Sequence, residues 1–244
     1  MTGEDFFGER VAARYDDAEP GSMSDPAVVD PAVDVLAELA GDGAALEFAI
    51  GTGRIALPLA RRGVRVAGID SSEAMLARLR EKPGADAIEA VLGDMATTRV
   101  DGDFSLVYLV FNTIFNLTTQ DAQVACFQNA SDHLRPGGSF VIETGVPALQ
   151  KLPVGQTIVP FRADAGGLGY DVYDVVTQRF SSEHITFVDG AVETGRVEFR
   201  YAWPAELDLM ARRAGMSLED RWSDWGREPF TAVSEKHVSV WRKP

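Results

Sequence analysis

Short apolar runs alternate with helical patterns along the first half of the chain. Residues 46–50 form an apolar run with one charge, short enough for a buried strand, and residues 64–70 form a second such run. Between them, apolar positions at helical spacing over residues 55–60 predict a helix. A glycine-rich turn at 51–53 separates the first strand from this helix, so the predicted order is strand, turn, helix, strand.

The same alternation continues through the middle of the chain. Three further apolar runs predict strands, at residues 88–95, 104–110 and 139–143. One helix is predicted to open at Pro31, since proline is tolerated in the first turn, and another to begin with Ser71 or Ser72 as its N-cap. A third helix is predicted over residues 120–135, followed by a sharp Pro-Gly-Gly turn at 136–138.

Residues 150–203 carry a different pattern. Strands are predicted at 172–180, 183–188 and 196–201, with turns at 181–182 and 189–190. This stretch is therefore predicted to be an antiparallel insertion of about three strands, which covers the sheet edge, makes a subunit contact or shapes a substrate pocket. Residues 204–216 then predict a helix that stops at a glycine, and two last strands follow at 218–225 and 237–241.

Composition narrows the classes of function. The 244 residues are enough for one or two domains with a sizeable core. A formal charge of −14 repels phosphate backbones, so a nucleic-acid partner is disfavoured and a cationic or neutral small molecule is favoured. We find no apolar run of membrane-spanning length and no signal pattern, and therefore expect a cytoplasmic protein with no membrane partner. The single cysteine, Cys126, is predicted to be a packed core thiol.

The glycine turn is the first candidate for chemistry. A backbone without Cβ can lie directly against a ligand, and the helix N-terminus beyond it offers free N–H groups. Gly51-x-Gly53-x-x-Ala56 satisfies the dinucleotide fingerprint, with Asp70 at about the right distance to hold a ribose. A nucleotide-dependent oxidoreductase is therefore one candidate class.

Several motifs in sequence order favour a second class. Glu47-x-Ala49-x-Gly51-x-Gly53 resembles motif I of the class I S-adenosylmethionine-dependent methyltransferases, with Ala49 standing where the family has its first glycine. The stretch G-I-D-S-S-E-A-M-L at 68–76 resembles motif II. H-L-R-P-G-G-S-F-V-I-E, at 133–143, is typical of the same family. The resemblance covers roughly residues 31–143 and 204–243.

The resemblance implies a fold and a domain organisation. The family has an α/β fold, a Rossmann-like, seven-stranded, mostly parallel sheet with an antiparallel last strand, to which this chain adds its small antiparallel β insertion. On this basis we expect an N-terminal lid at 1–30, a methyltransferase core at 31–149 and 204–244, and the insertion at 150–203 as a substrate cap or a contact for a homo-oligomer.

The resemblance also implies a cofactor, S-adenosyl-L-methionine, and a product, S-adenosyl-L-homocysteine. In the family the loop of motif I wraps the methionine part and the acid of motif II holds the ribose hydroxyls. Asp94 would accept from the adenine amine and Met95 would pack on the ring. The residues predicted to bind the cofactor are Tyr15, Ala49, Gly51, Thr52, Gly53, Arg54, Asp70, Ser71, Met75, Gly93, Asp94, Met95, Val110 and Phe111.

The N-terminal stretch at 6–16 could form a short amphipathic helix. Its A-x-x-Y-D sequence is similar to the segment that closes over the cofactor in small-molecule methyltransferases. We therefore predict a lid, with Tyr15 as its best contact and Phe7 as its second. The alternative is a segment that simply covers the core.

The loop after the fourth strand, 111–117, should face the reacting centre, because ligands of open α/β sheets sit beyond the carboxyl ends of the strands. The family's DNA and protein-amide methyltransferases carry Asn-Pro-Pro-Tyr here, and this chain does not, which favours a small-molecule acceptor. Tyr15, Phe111 and Phe115 are the predicted catalytic residues, shaping an apolar pocket; for Phe111 and Phe115 the alternative is core packing.

The segments F-N-T-I-F-N-L at 111–117 and R-Y-A-W-P-A-E-L-D-L-M at 200–210, together with the inserted β region, are similar to those of actinobacterial small-molecule methyltransferases. These include N-methyltransferases that act on aminosugars and on lincosamide-type antibiotics. None of His133, His184 and His237 falls at a motif position that marks a general base, and we expect His133 to be structural. Because a neutral amine needs no strong base, the prediction is an amine acceptor. The alternatives are a small-molecule O-methyltransferase, the oxidoreductase named above, and a cofactor-binding protein without catalysis.

Overall fold

The computed structural model describes residues 8–12, 15–16, 24–188 and 190–244. These residues form a seven-stranded sheet, a separate four-stranded sheet and six α-helices. In this part of the chain no helix is long and apolar enough to cross a membrane. Phe6 and Phe7 of the predicted lid lie outside the described residues.

Eleven strands are found in the described residues. In chain order they are β1 (Ala44–Phe48), β2 (Val66–Asp70), β3 (Glu89–Leu92), β4 (Phe104–Leu109), β5 (Leu134–Gly145), β6 (Ile158–Asp164), β7 (Gly167–Asp174), β8 (Arg179–Val188), β9 (Ala191–Arg200), β10 (Ser217–Trp222) and β11 (Lys236–Arg242). The large sheet has the order β10-β11-β5-β4-β1-β2-β3. Strands β1 to β5 pair in parallel, and β11 is antiparallel to both β5 and β10. The predicted fold class is therefore confirmed.

Helices cover both faces of the large sheet. They are α1 (Glu9–Ala12), α2 (Pro26–Ala40), α3 (Ala56–Arg61), α4 (Glu73–Arg80), α5 (Gln120–His133) and α6 (Pro204–Arg213). Alternate residues of β4 enter two hydrophobic clusters: Val107 packs with side chains of α5 and α6, and Tyr108 with side chains of α2, α3 and α4. Because both faces are covered, every residue of β1, β2 and β4 is buried, which explains their near-continuous apolar runs.

Helix α2 begins five residues before the predicted start at Pro31. The Asp25 side chain accepts a hydrogen bond from Ala27 N at 2.9 Å, and Pro26 occupies the first turn, so Asp25 and Pro26 supply the start signal. Pro31 lies inside the helix with its side chain exposed, and it lacks the N–H that a helix interior normally uses. The prediction that Pro31 opens the helix was wrong.

Strand β5 begins earlier than predicted. It starts at Leu134, and its pairing with β4 jumps from Phe104–Leu134 to Leu106–Ser139. The predicted Pro-Gly-Gly turn is thus an irregularity within the strand, in which Gly137 takes a φ of +76° that glycine adopts without strain.

The insertion is a meander of four strands, β6-β7-β8-β9, rather than three. We call this four-stranded sheet the cap. Ser181 and Ser182, predicted as a turn, lie within β8 and pair with both neighbouring strands. Strand β6 was missed because nearly all of its side chains are exposed, so no period of two appears in its sequence. The cap packs against the loop after β4, where the rings of Phe115 and Phe180 lie 6.0 Å apart, edge to face.

Candidate active site

A cavity of about 800 Å³ lies between the carboxyl ends of β1 to β3 and the cap. It is lined by Tyr15, Ala49, Gly51, Ile69, Asp70, Ser71, Met75, Gly93, Asp94, Met95, Thr113, Asn116, Leu117, Thr118, Thr119, Ala122, Arg179, Arg196, Val197 and Glu198. We call the side formed by the strand ends the sheet wall; it comprises the lining residues between 49 and 95. We call the opposite side the cap wall; it comprises the lining residues between 179 and 198. This is the crevice where an open α/β sheet binds its ligand.

The glycine loop forms the floor of the sheet wall. Ala49, Gly51 and Gly53 have φ values of +54°, +57° and +79°, so Ala49 adopts a left-handed conformation that favours the glycine the family has there. A Cβ on Gly51 would meet only the Ala49 carbonyl oxygen, at 4.0 Å, so its backbone is open to a ligand. A Cβ on Gly53 would lie 2.4 Å from Leu79 Cδ1, so Gly53 is required for packing against α4.

Asp70 joins the glycine loop to the start of α4. Its Oδ2 accepts from Gly51 N at 2.7 Å and its Oδ1 from Ser72 N at 2.8 Å. Ser72 is the helix N-cap, accepting from Met75 N at 3.2 Å, so Asp70 itself is left facing the cavity. Burial raises the pKa of Asp70, and its backbone hydrogen bonds oppose that shift. The carboxylate is therefore held in one orientation at the cavity surface.

The Gly93-Asp94-Met95 segment continues the sheet wall, and all three residues line the cavity. Asp94 Oδ1 accepts from Ala96 N at 2.8 Å. The Asn129 side chain donates to Met95 O at 2.8 Å and fixes the segment against α5. An acid and an apolar side chain are thus presented side by side, as the resemblance implied.

Arg54 lies behind this wall with its guanidinium 3.7 Å from the centre of the Phe111 ring and 5.6 Å from that of Tyr15. Burial lowers the pKa of Arg54. Its Nη1 is buried and has no hydrogen-bond partner among the described residues. A buried cationic donor without an acceptor is costly, so this atom fits a site for an anionic ligand group.

Glu47, the acid that opens motif I, is buried below the glycine loop. Its Oε2 accepts from the Tyr108 hydroxyl at 2.9 Å. Burial raises the pKa of Glu47 to about 8, with the Tyr108 hydrogen bond and the charge of Arg54 opposing the shift. Glu47 does not line the cavity and acts as a support for the loop.

The described part of the predicted lid rests on the glycine loop. Asp16 accepts from the Thr52 hydroxyl at 2.6 Å and pairs with Lys82 Nζ at 2.7 Å. Lys82 also donates to Thr52 O at 2.6 Å. Tyr15, next to Asp16, lines the cavity, and burial raises the pKa of its hydroxyl.

The loop after β4 is tied to the end of β5. Phe111 and Asn112 have φ values of +56° and +62°, and a bulky residue in this region is strained. Phe111 N donates to Glu143 Oε2 at 3.3 Å, and Asn112 Oδ1 accepts from Gly145 N at 2.6 Å. These bonds hold the Phe111 ring against Arg54.

The structure brings nine of the fifteen predicted site residues into the cavity lining and leaves the other six outside it. The nine are Tyr15, Ala49, Gly51, Asp70, Ser71, Met75, Gly93, Asp94 and Met95. Those outside the lining are Thr52, Gly53, Arg54, Val110, Phe111 and Phe115. Sequence reasoning missed the polar residues of 113–119 and the charged residues of the cap wall. The polar residues at 113–119 lie four residues or more beyond the end of β4, in the loop where the prediction had relied on the aromatic residues.

The three histidines lie outside the cavity lining. His133 is buried, with Nδ1 2.7 Å from Asn129 O and Nε2 accepting from Val100 N at 3.0 Å, and its pKa is lowered by burial. Both ring nitrogens are engaged by backbone groups, so His133 is structural, as expected. His184 packs on Phe161 in the cap, and His237 is buried beside Ser239 with its pKa lowered to about 3 by burial.

The fold and the cavity define an α/β protein with a cofactor crevice at the strand ends, and comparisons with known proteins assign its family. A family model described as a methyltransferase domain matches residues 45–138. The solved structure of the CcbJ methyltransferase from Streptomyces caelestis is 37% identical, with a TM-score of 0.86 over 98% of each chain. The cypemycin N-terminal methyltransferase of a Streptomyces species is 29% identical over 89% of this chain and 98% of that protein.

A more distant structure shares the fold. The S-adenosylmethionine-bound amino pentose methyltransferase CalS10 from Micromonospora echinaspora is 20% identical, with a TM-score of 0.66 over 94% of each chain. The chain belongs to the S-adenosylmethionine-dependent methyltransferases, and S-adenosylmethionine is its cofactor. The methyltransferase prediction is confirmed over the oxidoreductase and the non-catalytic alternatives.

Proposed function

We propose that the protein methylates an amine of a small-molecule acceptor and uses no dedicated general base. The observation that carries the proposal is the cavity lining, in which the described residues include no histidine, lysine or cysteine. Bound S-adenosylmethionine supplies an electrophilic methyl group on a sulfonium. A neutral amine nitrogen attacks such a carbon without prior deprotonation, whereas a hydroxyl usually needs a base.

The acids of the cavity are poor candidates for that base. Asp70 accepts two backbone hydrogen bonds and Asp94 accepts one. Glu198 is paired with Arg196, whose Nη2 lies 2.6 Å from Glu198 Oε1. In each of these acids a carboxylate oxygen is already engaged as the acceptor of a hydrogen bond or an ion pair, so it is not free to accept a proton from a substrate hydroxyl. The geometry therefore favours an amine over the O-methyltransferase alternative.

The sheet wall is proposed to hold the cofactor. Asp70 would accept from the ribose hydroxyls, Asp94 from the adenine amine, and Met95 would pack on the adenine ring. The open backbone at Gly51 leaves room for the methionine part, and the unpartnered Nη1 of Arg54 can donate to its carboxylate. The remaining predicted cofactor residues would act by shaping the loop and its supports.

The three predicted catalytic residues are proposed to position the reactants. Tyr15 is part of the cavity surface and can touch the bound ligands. Phe111 orients Arg54, and Phe115 joins the loop after β4 to the cap through Phe180. Holding donor and acceptor in a near-attack geometry in a dry site can supply much of the rate, on the order of 7–11 kcal/mol in favourable cases.

We also propose roles for the two segments outside the core. Residues 1–30 act as a lid, supported by the contacts of Asp16 with Thr52 and Lys82, and the cap shapes the acceptor site, supported by its charged residues in the cavity lining. The cypemycin relative is named as an N-terminal methyltransferase, which supports nitrogen as the acceptor atom.

The proposal is tested by locating the transferred methyl group. A panel of amino alcohols, each with one amine and one hydroxyl, is offered with S-adenosylmethionine labelled with ¹³C in the methyl group. We expect NMR to show the label on nitrogen in every product. A label on oxygen in the best substrate would contradict the proposal and establish the O-methyltransferase alternative.

A further inference from the structure

The cap wall of this acidic protein carries two arginines. Arg179 and Arg196 line the cavity together with Glu198, although the whole chain has 37 acidic residues against 23 basic ones. We propose, resting on the function proposed above, that the acceptor carries an anionic group, a carboxylate or a phosphate, which binds the guanidinium of Arg179.

Arg196 does not offer a free charge. Its Nε and Nη2 lie 2.8 Å and 2.6 Å from Glu198 Oε1, and its Nε lies 3.4 Å from Glu183 Oε1. Because Glu183 faces Arg196 directly across the β8–β9 pair, both acids are placed to neutralise the same guanidinium. Arg196 and its partners therefore form a closed charge cluster.

Arg179 is placed differently. Its Nη2 lies 3.9 Å from Glu198 Oε2, a long ion-pair contact beyond hydrogen-bond distance, and its guanidinium makes no hydrogen bond to a side chain in the described residues. Asp174 faces it on β7, but that carboxylate accepts from the turn residues that follow it. Arg200 faces it on β9 and is neutralised by Glu206 at 2.7 Å. Arg179 is thus a cation whose donors remain available in the cavity.

The two walls have opposite charge patterns. The sheet wall presents Asp70 and Asp94, whose negative charges repel an anionic group. The lining of the cap wall holds two guanidinium groups, Arg179 and Arg196, against one carboxylate, Glu198, and of the two arginines only Arg179 lacks a hydrogen-bonded acid among the described residues. An acceptor with an amine at one end and an anion at the other would therefore be oriented with its amine toward the cofactor. The planar fork of arginine matches both carboxylate and phosphate.

Loss of the Arg179 contact is expected to weaken acceptor binding and to leave the methyl-transfer step nearly unchanged. The anion lies away from the reacting nitrogen, so its contact with Arg179 is equally strong before and during transfer. Loss of a charged hydrogen bond then raises KM roughly ten- to hundredfold. The kcat is expected to stay within about threefold of wild type.

The test measures methylation of three matched acceptors, which are 4-(aminomethyl)benzoate, 4-(aminomethyl)phenyl phosphate and 4-(aminomethyl)benzamide. Each acceptor is offered to the wild type, to Arg179→Gln and to the control variant Arg162→Gln. Arg162 is an exposed arginine of the same cap, paired with Asp164 and outside the cavity lining. We expect the wild type to prefer the carboxylate or the phosphate over the amide at least tenfold in kcat/KM. Which of the two is preferred identifies the anion.

Arg179→Gln should reduce that preference to about threefold or less through KM, and Arg162→Gln should leave it unchanged. Equal use of the amide by the wild type, or an unchanged preference in Arg179→Gln, would overturn the inference. The hydroxymethyl analogues of the same probes are run in parallel. Transfer to the hydroxymethyl analogues alone would contradict the amine acceptor. The role of Arg179 would then be judged from the ratio of kcat/KM for the anionic hydroxymethyl analogues to that for the amide analogue.

If no probe is methylated, the same compounds are titrated calorimetrically into protein loaded with S-adenosylhomocysteine. Preferential binding of an anionic probe that Arg179→Gln removes supports the inference. Absence of binding by both anionic probes, or equal binding of the amide, counts against it.

Discussion

The two walls of the cavity are built on different principles. The sheet wall is held by backbone hydrogen bonds, as when Asp70 accepts from Gly51 N and Ser72 N. The cap wall is held by pairs of side chains, as when Arg196 binds Glu198, two residues further along strand β9. A wall fixed by the backbone presents the same groups whatever its neighbours are, whereas a wall made of side-chain pairs can be altered by one substitution.

This difference matches the binding role proposed for each wall, the cofactor for the sheet wall and the acceptor for the cap wall. The cofactor is the same for all members of the family, and a rigid backbone site suits a constant ligand. The acceptor is specific to each enzyme, and exposed side chains on a separate sheet can change without disturbing the core. We infer that cofactor binding and acceptor choice are separable in this protein.

The largest expected effect is on the sheet wall. Asp70→Asn removes one carboxylate oxygen and its charge, and should weaken S-adenosylhomocysteine binding by about 1.5–3 kcal/mol, the scale for a hydrogen bond to a charged group. Isothermal titration measures this loss, with Asp164→Asn as the control because Asp164 is an exposed acid of the cap. An affinity equal to that of the wild type would mean that Asp70 only supports the helix start.

A smaller effect is expected where the lid meets the sheet wall. Lys82→Met removes the contacts to Asp16 and to Thr52 O, and should weaken S-adenosylhomocysteine binding by up to about 1 kcal/mol, since the ion pair is partly exposed. Arg80→Gln, which breaks an exposed pair with Glu73 on the same helix, should have no effect.

Hydrogen exchange tests the lid itself. Amides around Tyr15 and Asp16 should exchange more slowly when the cofactor is added to the wild type, and this protection should shrink in Lys82→Met. Identical exchange with and without the cofactor would show that the segment is only a cover for the core.

The walls also differ in how far the sequence predicts them. Gly51, Asp70 and Asp94-Met95 follow strand ends at motif spacing, so the chain order alone placed them around one crevice. Arg179, Arg196 and Glu198 lie in no motif, and their shared position depends on the register of β8 against β9. That register follows from turns that the sequence pattern had misplaced at 181–182.

Local features of the sequence explain the other differences between the predicted and the observed structure. Asp25 and Pro26 offered an earlier helix start than Pro31, and the exposed strand β6 has no alternation to detect. The aromatic residues Phe111 and Phe115 were predicted to shape the pocket, and neither of them belongs to the cavity lining. Which face of a loop an aromatic side chain takes depends on backbone angles such as the positive φ of Phe111, which its residue type does not reveal.

The most direct test of amine methylation without a dedicated base is the pH dependence of kcat/KM, measured with two acceptors whose amines differ in basicity. Burial lowers the pKa of both His133 and His237, to about 3 for His237, so the His237 ring should not titrate near neutral pH. We expect kcat/KM to rise with pH as the acceptor amine loses its proton, and the curve to move when the amine is changed. His184→Ala, which removes the half-buried histidine of the cap that packs on Phe161, should leave kcat within a few-fold of wild type. A curve that stays fixed when the amine is changed, or the loss of turnover in His184→Ala while cofactor still binds, would contradict the account.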